Sequence, residues 1–140
     1  MPFVQINNVS NPEKEFVAFL EANSQYIDWW YKNGDKGKQN YAIEFNQGED
    51  GAKSLFYVDF VIRMKNGHIY LFDTKSIGSD LFAPQKHNAL IDYIKKHSTK
   101  EQPLFGGILI LQGSNWLYSR LPIANTTELT NWDSFYPQKA

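Results

Sequence analysis

The sequence contains no cysteine, which excludes disulfide bonds and thiolate metal sites and is typical of a reducing, cytoplasmic setting. No run approaches the roughly 20 apolar residues that a membrane-spanning helix requires, and the N-terminus has no signal-peptide pattern. Neither sign of charge dominates, because 14 basic and 15 acidic side chains give a net charge of −1. This balance argues against an autonomous, tight DNA-binding protein, which normally carries a basic surplus.

The stretch around Asn66-Gly67 is the most informative part of the sequence. Residues 55–76 form two apolar runs, rich in β-branched and aromatic side chains, on either side of this Asn-Gly pair, and the pattern predicts a β-hairpin. Three charged residues interrupt these runs: Asp59, Asp73 and Lys75. Charged side chains are costly to bury without partners, so their presence in apolar strands calls for an explanation.

The length of the hairpin loop decides which face of the sheet each charge occupies. Asp73 and Lys75 share a face, because side chains alternate along a strand. A two-residue turn would pair Asp59 with Thr74 and place it on the opposite face. A three-residue loop over residues 65–67, with its glycine in the left-handed conformation and a bulge, would pair Asp59 with Asp73 instead. We predict the three-residue loop, which brings two carboxylates together with a lysine one pleat away.

Two opposing carboxylates destabilise a sheet unless a positive charge lies between them. Magnesium prefers carboxylate oxygens and water as ligands, and a neighbouring lysine can hold a phosphate oxygen or position a water. This combination suits metal-assisted hydrolysis of a phosphodiester. The alternative is a hairpin whose charges are solvated on an open face of the sheet, but three such charges together in apolar strands favour the metal site.

The same residues carry a resemblance to a known family. Asp59, a hairpin and then Asp73-Thr74-Lys75 resemble the PD-(D/E)XK nuclease signature. With the blocks at 29–34 (WWYKNG), 72–76 (FDTKS) and 104–107 (LFGG), the chain is similar to the C-terminal endonuclease domain of type III restriction enzyme Res subunits. The similarity covers roughly residues 15–116. One departure is visible: Val58 stands where the family usually has a proline.

The resemblance implies a magnesium-dependent DNA endonuclease, with manganese as a substitute metal. The residues that it implies are Asp59, Asp73, the Thr74 carbonyl and Glu15 as metal ligands, and Asp59, Asp73, Lys75 and Lys86 as catalytic groups. It also implies a helicase-like motor and a modification subunit as partners, which deliver double-stranded DNA. No glycine-rich phosphate loop with a lysine is present here, so we expect an excised domain or a stand-alone relative of the nuclease, monomeric on its own. The alternative is an inactive nuclease-like scaffold for DNA binding or docking.

Residues outside the hairpin give weaker indications of site residues. Glu15 lies in a helix predicted from Asn11 to about Asn23, where its ordinary role is to complement the helix dipole. Lys86 is predicted at the start of the helix from about Pro84 to His97, on the face that points toward Asp73, and it could equally extend to solvent. Weaker candidates are Glu44, in a predicted strand, and Gln85, the alternative to Lys86. The three histidines have no spacing typical of a metal site, and we assign them no role.

The predicted fold is α/β: one domain over residues 1–140, with a central mixed sheet that contains the hairpin. The first helix covers one face, and we expect the second helix to pack beside it. An apolar run over residues 105–111 predicts a buried strand, and its position after a strand and a helix indicates parallel pairing.

The aromatic side chains of residues 29–31 are interpreted as core, with a nucleic-acid stacking surface as the alternative.

Overall fold

The computed structural model describes residues 11–33, 42–46 and 53–139. The described elements are α1 (Asn11–Ala22), β1 (Ile27–Lys32), β2 (Ala42–Asn46), β3 (Lys53–Tyr57), β4 (Phe60–Met64), β5 (Ile69–Lys75), α2 (Ala83–His97), β6 (Leu104–Gln112), β7 (Asn115–Tyr118) and β8 (Asp133–Ser134). The sequence also predicts an extended arm at residues 1–10 and polar loops at 32–38 and 46–54; the arm and most of both loops lie outside the described residues. Neither described α-helix has the length and hydrophobicity that a membrane-spanning segment needs.

Six of the described strands form one mixed sheet in the order β1-β4-β5-β6-β7-β8. Only the β5–β6 pair is parallel, and α2 provides the connection between these two strands. The other neighbours in this sheet are antiparallel, and β2 and β3 form a separate antiparallel pair. The predicted α/β class, mixed sheet and parallel pairing after the second helix are therefore confirmed.

The hairpin between β4 and β5 has the predicted three-residue loop. Its ladder pairs Phe60 with Phe72 and Arg63 with Ile69, and Met64 N–H donates to the His68 carbonyl at 2.9 Å. Gly67 has φ +93°, a conformation that glycine adopts without the strain of a side chain. The Asn66 side chain accepts a hydrogen bond from the His68 N–H at 2.9 Å, so the turn chemistry of the sequence fixes the register.

The two helices cover opposite faces of the sheet, so the prediction that α2 packs beside α1 is wrong. Phe16 and Leu20 of α1 pack on Phe60, Ile62 and Phe72. Leu90 of α2 packs with the alternate strand residues on the other face, because side chains of successive residues point to opposite faces. That second core also includes the buried side chains of the β2–β3 pair: Ile43, Phe45 and Phe56. Both faces of β4 and β5 are therefore buried.

Glycines in β6 permit close contacts on both sides of this strand. Gly106, at φ +146°, lies opposite Leu71, and a Cβ on Gly106 would overlap the Leu71 carbonyl oxygen. A Cβ on Gly107 would lie 2.6 Å from Cε1 of His87. The first contact involves backbone on both sides and cannot be relieved by a side-chain rotation. The LFGG block at residues 104–107 is thus required for the sheet to pair and for α2 to pack.

The His87 side chain, in α2, makes hydrogen bonds to two other parts of the chain, and these bonds determine its tautomer. It is fully buried; Ile108 N–H donates to Nδ1 at 3.0 Å, and Nε2 lies 3.0 Å from the Leu121 carbonyl. A carbonyl only accepts and an amide N–H only donates, so the neutral ring with its proton on Nε2 satisfies both partners. Burial lowers the pKa of His87 from 6.5 to about 4. The residue has a structural role that its sequence context did not indicate.

We expect Gly106→Ala to lower the free energy of unfolding by more than about 3 kcal/mol, the range of severe backbone and packing defects. Gly113→Ala is the matched control, because Gly113 also has positive φ (+65°) but an added Cβ meets no atom within 4 Å. That control should cost only the roughly 1 kcal/mol of conformational strain. Chemical denaturation measures both, and equal losses in the two variants would contradict the proposed overlap with Leu71.

Stability should fall on acidification because of His87. The unfolded chain binds a proton near pH 6.5 and the folded chain only near pH 4, so protons favour the unfolded state as the pH falls through this window. The difference corresponds to about 3 kcal/mol. The measurement is the stability difference between wild type and His87→Gln at pH 7 and pH 4, with His97→Gln as the exposed control. A difference that does not change with pH would show that His87 is charged or exposed in the folded protein.

Candidate active site

Asp59 lies between β3 and β4, and the ends of two strands hold it. Asn33, directly after β1, donates its N–H to the Asp59 carbonyl at 2.8 Å and so extends the β1–β4 ladder by one residue. The β4–β5 ladder begins at the Phe60–Phe72 pair. Its register, continued by one residue, would place Asp59 opposite Asp73 as predicted, but the ladder does not include this pair. The backbone of Asp59 is therefore fixed at the end of the sheet.

The Asp59 side chain accepts a hydrogen bond from an N–H group of β5 that has no backbone acceptor in β4. Its Oδ2 accepts hydrogen bonds from the Thr74 N–H and the Thr74 hydroxyl, both at 2.9 Å. Alternate residues of β5 bond to β4, and Phe72 is the last β5 residue with a partner there, so the N–H of Thr74 points past the N-terminal end of β4. A side-chain oxygen thus continues the hydrogen bonding of the sheet beyond β4. No pattern in the sequence indicated this role for the Thr74 N–H and hydroxyl.

Glu13, not Glu15, is the α1 carboxyl group at this site. The carboxyl groups of Glu13 and Asp59 are hydrogen-bonded to each other, and Lys32 Nζ lies 3.8 Å from Glu13 Oε2. Glu15 is exposed. The prediction chose Glu15 because it lies one turn before Phe19, a member of the apolar stripe of Phe16, Phe19 and Leu20. Phe16 and Leu20 are buried and Phe19 is only partly buried, and the residue one turn before Phe16 is Glu13.

Asp73 and Lys75 lie on the α2 side of β5, as alternation predicts. Asp73 is only 3% exposed, and its Oδ2 lies 3.3 Å from Lys75 Nζ. Apart from this ion pair, Oδ2 of Asp73 makes no hydrogen bond to any residue in the described part of the chain. Buried polar atoms are satisfied in nearly all proteins, so an incompletely satisfied buried carboxylate oxygen indicates a place for a further ligand or ion.

Lys86 reaches the same cluster from the first turn of α2, which is one of the two alternatives that the sequence left open. Its Nζ lies 2.9 Å from Oδ2 of Asp80, and Lys75 Nζ lies 3.3 Å from the same oxygen. In the sequence, residues 77–80 indicate only a break after the strand that contains Lys75, so no role was predicted for Asp80. The signal that could have identified it is an aspartate in the turn before a helix that begins near a proline, a position where carboxylates often accept backbone N–H bonds.

Burial and crowding of like charges raise the pKa values of the two central carboxyl groups. Burial, then the charges of Asp73 and Glu13, raise the pKa of Asp59 from 3.8 to about 8. Burial also raises the pKa of Asp73, although Lys75 and Lys86 oppose this effect. At neutral pH Asp59 therefore carries a proton, which it can donate to the Glu13 side chain.

The lysine side of the cluster is charged. Burial alone would lower the pKa of Lys75, but the carboxylates of Asp73 and Asp80 outweigh it and raise that pKa. Against the effect of burial, the hydrogen bonds from Lys86 and the Phe82 N–H lower the pKa of Asp80 to about 2. Asp80 and Lys75 are therefore ionised at neutral pH.

The remaining predicted site residues lie outside this cluster. Glu44 is exposed on β2, in the separate two-stranded pair, and Gln85 is exposed on α2. The interpretation of residues 29–31 as core is wrong for Trp29, which is 40% exposed and stacks on Tyr31 with ring centroids 5.7 Å apart. Trp30 instead packs against the α1-side core.

Asp59 and Asp73 supply the carboxyl oxygens that a hard divalent cation prefers as ligands. Within residues 11–33, 42–46 and 53–139, no three His, Asp or Glu side chains are already grouped around one point as metal ligands. Asp59 and Asp73 nevertheless lie close enough to raise the pKa of Asp59, and a buried oxygen of Asp73 lacks a hydrogen bond. A divalent cation would relieve both conditions, since it replaces the proton of Asp59 and satisfies that oxygen.

Comparison of the chain with known protein families, curated proteins and solved structures finds no match. The similarity to type III nuclease domains therefore rests on the motifs in the sequence and stays a prediction. The site itself rests on the contacts described above.

We expect Asp59→Asn to stabilise the folded protein at and above neutral pH. The folded state holds a proton on Asp59 up to about pH 8 and the unfolded chain loses it near 3.8, so stability falls as the pH rises through this window. An amide keeps the acceptor for Thr74 and carries no charge, which should add on the order of 2 kcal/mol at pH 8 and nothing near pH 4. Denaturation at both pH values measures the effect, with the exposed Asp92→Asn as control. Equal stability of wild type and Asp59→Asn at pH 8 would contradict the buried, protonated Asp59.

Proposed function

We propose that this chain is a magnesium-dependent DNA endonuclease domain of restriction-endonuclease-like (PD-(D/E)XK) fold. The observation that supports this most strongly is the meeting of Asp59, Asp73, Lys75 and Lys86 at one end of the β4–β5 pair, from three separate elements. Buried carboxyl groups with raised pKa values beside two ammonium groups are typical of functional sites. They are the groups that metal-assisted phosphodiester hydrolysis needs.

Asp59, Asp73 and the Thr74 carbonyl would hold the cation, and Glu13 replaces Glu15 as the contribution of α1. When bound, magnesium or manganese lowers the pKa of a coordinated water and neutralises charge on the phosphate. Since Asp59 is protonated below about pH 8, cation binding releases a proton and strengthens as the pH rises toward this value.

The two lysines have separate roles in the proposed reaction. Lys75, ion-paired to Asp73, holds the attacking water or a nonbridging oxygen of the scissile phosphate. Lys86 adds positive charge opposite the pentacovalent phosphorus, where negative charge accumulates. Hydrolysis proceeds in line: the water oxygen forms its bond to phosphorus as the bond to the leaving oxygen breaks, without a covalent enzyme intermediate.

The near-neutral charge of the chain agrees with DNA delivered by another protein. The sequence resemblance suggests a type III restriction system, in which a helicase-like motor and a modification subunit bring double-stranded DNA to a cytoplasmic nuclease. The target sequence would then be recognised by the modification subunit. Cleavage of both strands requires two sites, and this suggests transient pairing of nuclease domains on DNA.

Asp73→Asn tests the proposal directly, because it keeps the shape of the side chain and removes its charge. We expect loss of magnesium and manganese binding in calorimetric titration and a roughly 100-fold or greater drop in plasmid nicking, the upper range for groups that support a metal site. Asp92→Asn is the control for a change of one charge on the exposed face of α2 and should nick like wild type.

Failure would favour the alternative of an inactive scaffold. If wild type neither binds the cation nor nicks plasmid, even at millimolar metal with DNA present, the catalytic proposal is wrong. Nicking that persists in Asp73→Asn would likewise exclude this cluster as its source.

A further inference from the structure

One carboxylate oxygen lies between the two lysines of the candidate site. Oδ2 of Asp80 is 2.9 Å from Lys86 Nζ and 3.3 Å from Lys75 Nζ. Lys75 belongs to β5 and Lys86 to α2, so two separate elements direct ammonium groups to a single point. That point has the surroundings of an anion-binding site, because charge-assisted bonds from several cations to one oxygen are among the strongest available to an anion.

The position of Asp80 is fixed by the start of α2. Its other carboxylate oxygen, Oδ1, accepts the Phe82 N–H at 2.9 Å, and its carbonyl accepts the Ala83 N–H at 3.1 Å. The Asp80 side chain is 19% exposed, comparable to the side chains of Lys75 and Lys86 at 23% and 20%. The three groups therefore form a partly buried cluster that solvent, and hence a ligand, can still reach.

Lys86 is restrained so that its charge stays at this point. Its Nζ lies 5.6 Å from the ring centroid of Phe45 and 5.9 Å from that of Phe56. These rings hold the ammonium by cation–π attraction and limit the paths by which the side chain could turn to solvent. An entering anion would find the ammonium already in place, with Asp80 as its competitor.

We propose that Asp80 is an internal substitute for a phosphate oxygen, which holds Lys75 and Lys86 in position and which the substrate phosphate must displace. The inference rests on the proposed function only in taking a phosphodiester as the substrate anion. Asp80 is a positioning residue that holds the two lysines in place for an anion. Because it competes with the anion, it also lowers the affinity of the site for DNA. Its carboxylate can leave the lysines while the backbone turn at Ala83 stays intact.

The test is DNA binding by Asp80→Asn in the presence of a chelator, so that neither cleavage nor a metal contributes. Fluorescence anisotropy with a short labelled duplex should give a Kd roughly five-fold lower than wild type, the size expected when no ion pair has to be broken. The dependence of log Kd on log salt should steepen by up to about 1, because the lysines neutralise more phosphate charge. A merely structural Asp80 would predict unchanged or weaker binding, and that result would overturn the inference.

Asp133→Asn is the matched control, because Asp133 is also ion-paired, with Arg120 at 3.5 Å, and lies outside the cluster. It should bind DNA like wild type, whereas equal gains in both variants would mean that only net charge matters and would overturn the inference. Asp80→Glu should restore wild-type affinity, and Asp80→Asn combined with Lys86→Gln should lose the gain.

A second measurement needs no substitution, in case Asp80→Asn fails to fold. Inorganic phosphate titrated into wild type should shift the NMR signals of the Lys75 and Lys86 ammonium groups together, and the absence of any shift would overturn the inference.

The outcomes distinguish failure of this inference from failure of the proposed nuclease function. Tighter DNA binding by Asp80→Asn without plasmid nicking by wild type supports the role of Asp80 and contradicts the nuclease, while nicking with unchanged binding does the reverse.

Discussion

The arrangement of this protein depends on carboxyl groups held out of water at one end of its sheet. Burying a carboxylate costs several kcal/mol unless charge and hydrogen bonds compensate. Asp59 meets that cost with a proton, two bonds from Thr74 and a carboxyl partner on α1. Asp73 meets it with an ion pair to Lys75, and one of its oxygens stays incompletely satisfied. A protein selected only for stability would have little reason to keep both groups there.

The sheet creates this situation through the way its strands end. β4 begins at Phe60, one residue after Asp59, so the N–H of Thr74 lies beyond the last β4 partner of β5, and a side-chain oxygen of Asp59 accepts its hydrogen bond. The apolar side chains on both faces of β4 and β5 then exclude water from the groups beside them. The same packing that stabilises the fold therefore raises the pKa values on which the proposed chemistry depends. At Asp59 the requirements of stability and of the proposed function conflict. An uncharged side chain is expected to raise the free energy of unfolding but would remove a ligand of the proposed metal site.

On the α2 side of β5, two positive charges lie close together. The ammonium groups of Lys75 and Lys86 converge on Asp80, which neutralises them at a point where a phosphate oxygen could bind. An internal anion of this kind avoids repulsion between the lysines when no substrate is present. If a phosphate replaces Asp80 as proposed, attraction for DNA is concentrated at this one site, and a net charge of −1 for the chain is compatible with the proposed function.

Local sequence determined the elements and the register. Alternating apolar residues, the Asn-Gly turn and proline near the helix starts were sufficient to predict the hairpin, both helices and the parallel strand, because these signals act within a few residues. The same periodicity placed Asp73, Lys75 and Lys86 correctly. Only the tertiary structure decided which face of α1 is buried, and hence Glu13 over Glu15, and that α2 lies across the sheet from α1. It also decided the partners of Asp80 and His87, because these contacts join residues whose closeness depends on the packing of whole elements.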